Sequence, residues 1–177
     1  FYQNIKDAII FSYITASGYQ NGAKTSTAGY ELSLKHVSDK VDYNLSYSFY
    51  KVLELEVPEY IVPDNNMTLG NPQHKIAASV TFKLSKELSI TPSGTYTSDR
   101  WAITSAGPFV YSKTSDKFIF NLTVLKKSFL GVKGLEASAS VHNIFNERFD
   151  YIQPYTGSGA PFPDSSRELF FRVSYNF

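Results

Sequence analysis

Along most of this chain, apolar and polar residues alternate with a period of two. The end shows it most clearly. In residues 167–177, Leu169, Phe171, Val173, Tyr175 and Phe177 share one parity, and Glu168, Arg172, Ser174 and Asn176 share the other, with Phe170 as the exception. Such alternation predicts a β-strand with one apolar and one polar face. The apolar face here is large and aromatic, and an exposed soluble edge of that kind invites aggregation. A strand of about 9–11 residues with lipid on one side and a wet lumen on the other accounts for the pattern.

Seven earlier strands are predicted on the same grounds. The first has Ile5, Ile9, Phe11 and Tyr13 on one parity, broken by Asp7. The second covers residues 28–37, with Tyr30, Leu32 and Leu34 outward. After a tight turn at Ser38-Asp39-Lys40, the third carries Val41, Tyr43, Leu45, Tyr47 and Phe49 outward. This pair reads as a hairpin. The fourth, residues 74–84, sets Ile76, Ala78, Val80, Phe82 and Leu84 against Lys75, Ser79, Thr81 and Lys83. The fifth follows Ser85-Lys86-Glu87, and Pro92 and Gly94 within it predict a bulge or bend. The sixth centres on Phe118, Phe120, Leu122 and Val124, and the seventh on Leu135, Ala137, Ala139 and Val141.

The connections alternate in length. Residues 17–27, 53–72, 98–116 and 146–166 are long and read as loops, whereas the turns at Asp39, Lys86 and near Gly131 are short. A meander with one periplasmic and one external rim produces this alternation, with the long segments external. The expected fold is therefore all-β: an antiparallel transmembrane β-barrel meander of about eight strands. The inward positions are mostly Ser, Thr, Asn, Glu and Lys, many of them small. They suit a wide lumen holding water or a plug better than a narrow, self-filled one.

Composition narrows the function. The net charge of +1 gives no electrostatic case for nucleic acid. The chain has no Cys, so thiolate chemistry and disulfides are excluded. It has no run of 18 apolar residues, so no transmembrane helix is expected. Phe1-Tyr2-Gln3 reads like the interior of a strand, which suggests a piece of something larger.

Specific segments carry a resemblance. Val141-His142-Asn143-Ile144-Phe145-Asn146-Glu147-Arg148-Phe149 resembles the V-x-N-[LI]-F-[ND]-x-x-[YF] segment of TonB-dependent outer-membrane receptors. There it sits on the penultimate strand, before a Gly/Pro-rich loop, an Arg and a last strand ending in Phe. Here these are residues 151–166, Arg167 and Phe177. Asn21-Gly22-Ala23 with Gly29-Tyr30-Glu31-Leu32 is similar to the family's N-x-G-x-A-x-x-x-G-x-E-L region, with the first Ala one place early and the gap lengthened. Asn71-Pro72-Gln73-His74-Lys75 is similar to the Pro-x-His that opens a later strand.

The resemblance covers nearly the whole chain. It implies that residues 1–177 form the C-terminal portion of a barrel of about 22 strands. No stretch here resembles the family's plug domain or its TonB-contacting box. The implied function is active uptake across the bacterial outer membrane of a scarce nutrient, such as a ferric siderophore, haem or cobalamin. The implied partners are the outer-membrane bilayer, the barrel assembly machinery, the ligand, and TonB acting through the plug. Tyr175 and Phe177 resemble the C-terminal aromatic signal read by the assembly machinery.

Candidate ligand-binding residues lie in the long segments: Arg100, Trp101, Tyr111, Tyr151 and Tyr155. The aromatics offer stacking, or alternatively an interfacial girdle. Arg100 offers a cation for an anionic chelate. His36, His74 and His142 are scattered without ligand spacing, so neither a metal site nor a cofactor is expected. No catalytic constellation is expected: Ser138, Ser140 and His142 share the inward parity, whereas lipid-modifying small barrels need such groups facing lipid. The alternative reading is a complete eight-stranded barrel with a structural or adhesive role.

Overall fold

The computed structural model describes residues 1–11, 18–57, 60–106, 109–151 and 162–177. The strands are β1 (Tyr2–Phe11), β2 (Tyr19–His36), β3 (Val41–Leu55), β4 (His74–Lys83), β5 (Leu88–Thr97), β6 (Arg100–Ala106), β7 (Phe109–Thr114), β8 (Lys117–Lys126), β9 (Leu135–His142), β10 (Asp150–Tyr151), β11 (Phe162–Pro163) and β12 (Glu168–Tyr175). Eight of them form one sheet in the order β1-β2-β3-β4-β5-β8-β9-β12. Every neighbouring pair is antiparallel. This is the expected meander. It is open: β1 and β12 form its two edges. The hairpins β6–β7 and β10–β11 are inserted in two of the long connections.

The sheet is a single layer, and among the described residues nothing covers its apolar face. Leu32, Leu34, Phe82, Leu169 and Val173 are exposed, and Phe171 is 80% exposed. The buried apolar residues among those described are Ala23, Val52, Val57, Val62, Met67, Leu69, Ala102 and Ile103. All lie at the end of the sheet bearing the long connections. An ordinary soluble sheet would bury one face against a second layer. On the opposite face, hydroxyls meet across strands: Thr81 Oγ1 lies 2.9 Å from Thr91 Oγ1, and Thr123 Oγ1 lies 3.0 Å from Ser140 Oγ. The exceptional Phe170 pairs with Ser140 at the end of this polar row.

The short turns are closed by their own side chains. Ser38 Oγ donates to Val41 O at 2.7 Å and accepts from Val41 N at 3.1 Å. Lys83 Nζ donates to Ser38 O at 2.7 Å and to Asp42 Oδ1 at 2.8 Å, joining the turn to β4. Ser85 Oγ accepts from Glu87 N and Leu88 N. A 3-10 turn at Phe129–Gly131 joins β8 to β9.

Three expectations are corrected. Most of residues 17–27 is strand, because β2 begins at Tyr19 and pairs with β1 and with an extension of β3 to Leu55. The extension is pinned by Lys24 Nζ donating to Glu54 Oε1 at 2.5 Å. Gln20 to Thr27 are small or polar on both parities, so alternation did not reveal it. Residues 98–116 hold the β6–β7 hairpin. The expected first strand is present as Tyr2–Phe11, with its break at Asp7, which has φ 57° where the register shifts between Ile5 and Ala8; Tyr13 lies outside the described residues. No register shift occurs in β5, where Pro92 pairs with Leu122 and Gly94 with Phe120 in one continuous ladder to β8, but the ladder to β4 lapses at Thr91 and Pro92, between Ser79↔Ser93 and Phe82↔Ile90. The Phe118 ring lies over Gly94, 3.4 Å from where a Cβ would stand. It fills the space a side chain would otherwise take.

Candidate functional site

At the end bearing the long connections, a cleft of about 550 Å³ opens beside the polar face. Its walls are the last residues of β5 (Thr95, Thr97), the start of β8 (Lys117, Ile119), the β6–β7 hairpin and residues 148–150. Local bonding explains why these segments converge. Arg100 pairs with Thr114 across the hairpin, and Thr114 Oγ1 donates to Arg100 O at 3.2 Å.

The third wall is set by the segment after β9. Asn143 is 1% exposed and sits at φ 53°, a left-handed conformation that Asn tolerates better than most residues. Its backbone N donates to Asn121 Oδ1 at 3.0 Å, and its side chain binds the backbone of Glu147. Ile144 N donates to Phe120 O at 2.8 Å. Asn146 Oδ1 accepts from Arg167 N at 2.9 Å, tying the turn to the start of β12. Asp164 N donates to Phe149 O at 2.7 Å. The V-x-N-I-F-N segment is thus a bonded turn that delivers Arg148, Phe149 and Asp150 to the cleft.

Four cations line the cleft: Arg100, Lys113, Lys117 and Arg148. Two are neutralised. Lys113 Nζ pairs with Asp99, and this bond holds its ammonium above the usual lysine range. Lys117 Nζ pairs with Asp164 Oδ2 at 2.6 Å and lies 4.6 Å from the centroid of Phe149, a cation–π contact. Among the described residues, Arg100 and Arg148 have no side-chain partner, and Asp150 is the one carboxylate in the lining.

The sequence-derived candidates separate. Arg100 lines the cleft. Trp101 and Tyr111 pack instead against a cluster of Val62, Met67, Leu69 and Ile103. Gly70 N donates to Trp101 O at 2.8 Å, and Leu69 pairs with Trp101. These two aromatics join the 60–70 segment to the β6–β7 hairpin. Tyr151 lies in β10, its backbone paired with Phe162, and Tyr155 lies outside the described residues. Arg148, Lys117 and Phe149 were not among the candidates. Their signal was present but masked: Arg148 and Phe149 close the family-like segment, where only the motif was read.

The histidines are dispersed. His74 stacks on Tyr47, with Tyr47 Oη 2.9 Å from His74 Nδ1. His142 faces Glu168 at 3.6 Å. Among the described residues, no three His, Asp or Glu side chains converge as a metal site would require. Tyr175 and Phe177 meet edge to face, with centroids 5.1 Å apart, at the end of edge strand β12.

No family model and no curated protein matches the chain. Solved structures do. The ferric-catecholate import receptor Fiu of E. coli K12 superposes with a TM-score of 0.74 at 14% identity, over 99% of this chain and 24% of that one. FpvA of P. aeruginosa, solved with heterologous pyoverdines, gives 0.77 at 15% identity over 99% and 24%. The FrpB iron transporter of Neisseria meningitidis gives 0.69 at 19% identity over 99% and 28%. The chain therefore spans about a quarter of the length of these receptors. Its eight-stranded meander has the fold of a segment of their β-barrels, the fold implied by the sequence resemblance to TonB-dependent receptors.

Proposed function

We propose that this chain is barrel wall and loops of an outer-membrane receptor. The receptor takes up a scarce nutrient, of the ferric siderophore, haem or cobalamin kind, with energy supplied through TonB. The observation that carries this reading is the single-layer antiparallel sheet, its apolar face uncovered, which superposes over 99% of its length on iron-uptake receptors. In lipid, unpaired backbone edges are not tolerated, so further strands complete the sheet at β1 and β12.

Two aromatic groups support a bilayer setting. Tyr30, Tyr47, Phe49 and His74 pack together on the apolar face near the long connections. Phe118, Phe120 and Phe145 stack in the same way. Such a band marks the boundary between hydrocarbon and headgroups. On this reading the long connections and the cleft face the cell exterior, and the short turns face the periplasm. Tyr175 and Phe177 serve as the signal for barrel assembly. The role is transport and not catalysis, as the import receptor and the iron transporter among the matched structures favour.

The test is uptake of iron complexes by cells with and without the intact protein, and with TonB deleted. Uptake that needs both supports the reading. Uptake indifferent to the protein, across siderophore, haem and cobalamin ligands, overturns it.

A further inference from the structure

We infer that the turn between β8 and β9, residues 127–133, is a membrane-seating element. Its apolar tip enters the adjacent leaflet, and the lysines on either side meet anionic phospholipid headgroups. That the leaflet is the periplasmic one of the outer membrane rests on the receptor reading above. That an apolar tip is held rigidly between cations rests on the turn alone.

The turn reads Lys-Ser-Phe-Leu-Gly-Val-Lys. The other short turns, Ser38-Asp39-Lys40 and Ser85-Lys86-Glu87, have polar tips closed by serine hydroxyls. Here backbone bonds close the loop: Gly131 N donates to Ser128 O at 2.9 Å, and Val132 N to Phe129 O at 3.1 Å. Leu130 stands at the tip, 80% exposed, with Val132 exposed beside it. The backbone imposes this exposure, because Ser128 (φ 47°), Leu130 (φ 55°) and Gly131 (φ 78°) are all left-handed. That conformation is costly for leucine, and Asn or Gly would hold it with less strain. Strain of this kind persists where neighbours fix the chain. Both ends are fixed: Lys127 N donates to Glu87 O at 2.7 Å, and Asn176 N donates to Gly134 O at 2.9 Å.

The turn continues the apolar row of the sheet. Lys126 has the parity of Phe118, Phe120, Leu122 and Val124 and pairs with Leu88, and Leu135 pairs with Tyr175. The charges fit a headgroup layer. Lys126 is held by Glu87 at 2.6 Å, whereas Lys127 and Lys133 are exposed and, among the described residues, have no ion-pair partner. Lysine stems lie along apolar surface while the ammonium stays in the polar layer, and an anionic lipid surface attracts it. A protein partner would need a shaped surface to meet. A leaflet needs only an apolar tip and flanking cations, and the turn supplies both.

The experiment places one uncharged fluorophore at a time on the intact protein, through Leu130→Cys, Asp39→Cys or Phe171→Cys. The protein is held in nanodiscs of phosphatidylcholine, or of an equimolar mixture with phosphatidylglycerol, both faces open to water. A nitroxide near the headgroup end of the acyl chain is expected to quench the label at 130 at least about threefold more than the label at 39. Phosphatidylglycerol should strengthen that quenching, K127Q/K133Q should lose the gain, and K127R/K133R should keep it. A label at Val132→Cys gives the same reading if the first variant fails to fold. Labels at 130 and 132 as open to water as the one at 39 overturn the inference, and so does a folded K127Q/K133Q protein that keeps the full gain. The label at 171 separates this from the receptor reading. Lipid quenching at 171 without quenching at 130 or 132 overturns the seating turn and leaves the barrel standing. Quenching at 130 without quenching at 171 does the reverse.

Discussion

The Asn143 side chain holds the backbone of Glu147 from both sides: Nδ2 donates to Glu147 O at 2.8 Å, and Oδ1 accepts from Glu147 N at 3.0 Å. One buried amide thus closes the turn on itself, beside the bond from Ile144 N to Phe120 O of β8, and Arg148 follows directly from it.

Removing that clasp separates two costs. Asn143→Ala loses both bonds and places a non-glycine residue without a local hydrogen bond at positive φ, so a destabilisation of about 2–4 kcal/mol is expected. Asn143→Gly loses the bonds but relieves the backbone, and should cost less. Urea unfolding midpoints of the refolded protein in lipid measure the difference. Equal effects would mean that the conformation contributes nothing.

Gly29 is a sharper case. A Cβ there would stand 2.1 Å from Phe49 O, a backbone atom that cannot give way without breaking the β2–β3 ladder. Gly29→Ala is expected to abolish or severely reduce assembled protein, read as folded species on an unheated gel. Gly131→Ala is the control. Gly131 has φ +78° with nothing within 4 Å of a Cβ, so only backbone strain of about 1–2 kcal/mol applies.

Trp101 is expected to act on loop integrity and not on the barrel. Trp101→Ala should leave strand content intact while exposing the 60–70 segment and the β6–β7 hairpin to protease. The local cost is about 3 kcal/mol for an aromatic truncated against a packed cluster. Limited proteolysis in detergent checks it. Unchanged protection would show that Leu69 and Ile103 hold the two segments together without the ring.

At the short-turn rim, Lys126 Nζ donates to Glu87 Oε2 at 2.6 Å, and this bond, with help from Ser128, holds the Glu87 carboxyl below its ordinary value. A lowered carboxylate stabilises the fold above the unfolded value of about 4.3, and that contribution fades as pH falls through the lower folded value. Both side chains are exposed, so the effect on stability is small. Lys126→Gln is expected to move the Glu87 titration up toward the ordinary carboxylate range, visible by NMR of labelled glutamate carboxyls. A midpoint that stays put would assign the shift to Ser128.

The central parts of the sheet were legible in the sequence because one apolar and one polar face write alternation into the strands. Leu169, Phe171 and Val173 are the plainest instance. Toward the long connections that constraint ends. Tyr19 to Thr27 forms strand with no apolar parity to announce it, and the β6–β7 hairpin was hidden for the same reason. Pro92 and Gly94 predicted a bulge or bend; the Phe118 ring over Gly94 and the unbroken pairing with β8 keep the register of β5, and the irregularity is confined to a lapse of the β4 ladder at Thr91 and Pro92. For the site, Arg100 was legible as a free cation. Trp101 and Tyr111 were legible as aromatics in loops, but which side of a hairpin they occupy is decided by Leu69 and Ile103, which come from distant segments. Arg148 needed the turn around Asn143 to be seen as geometry.

The self-closing turns at Ser38 and Ser85 also set an order in time. Hairpins with such short closures form in about 1–10 μs, and the entropic cost of closing a loop rises with its length. The pairs β2–β3 and β4–β5 therefore zip as units from their short-turn ends. The β3–β4 and β5–β8 seams, each spanning a long connection, join later. Lys83, bonded to both Ser38 and Asp42, is the first residue able to register one finished hairpin against the next.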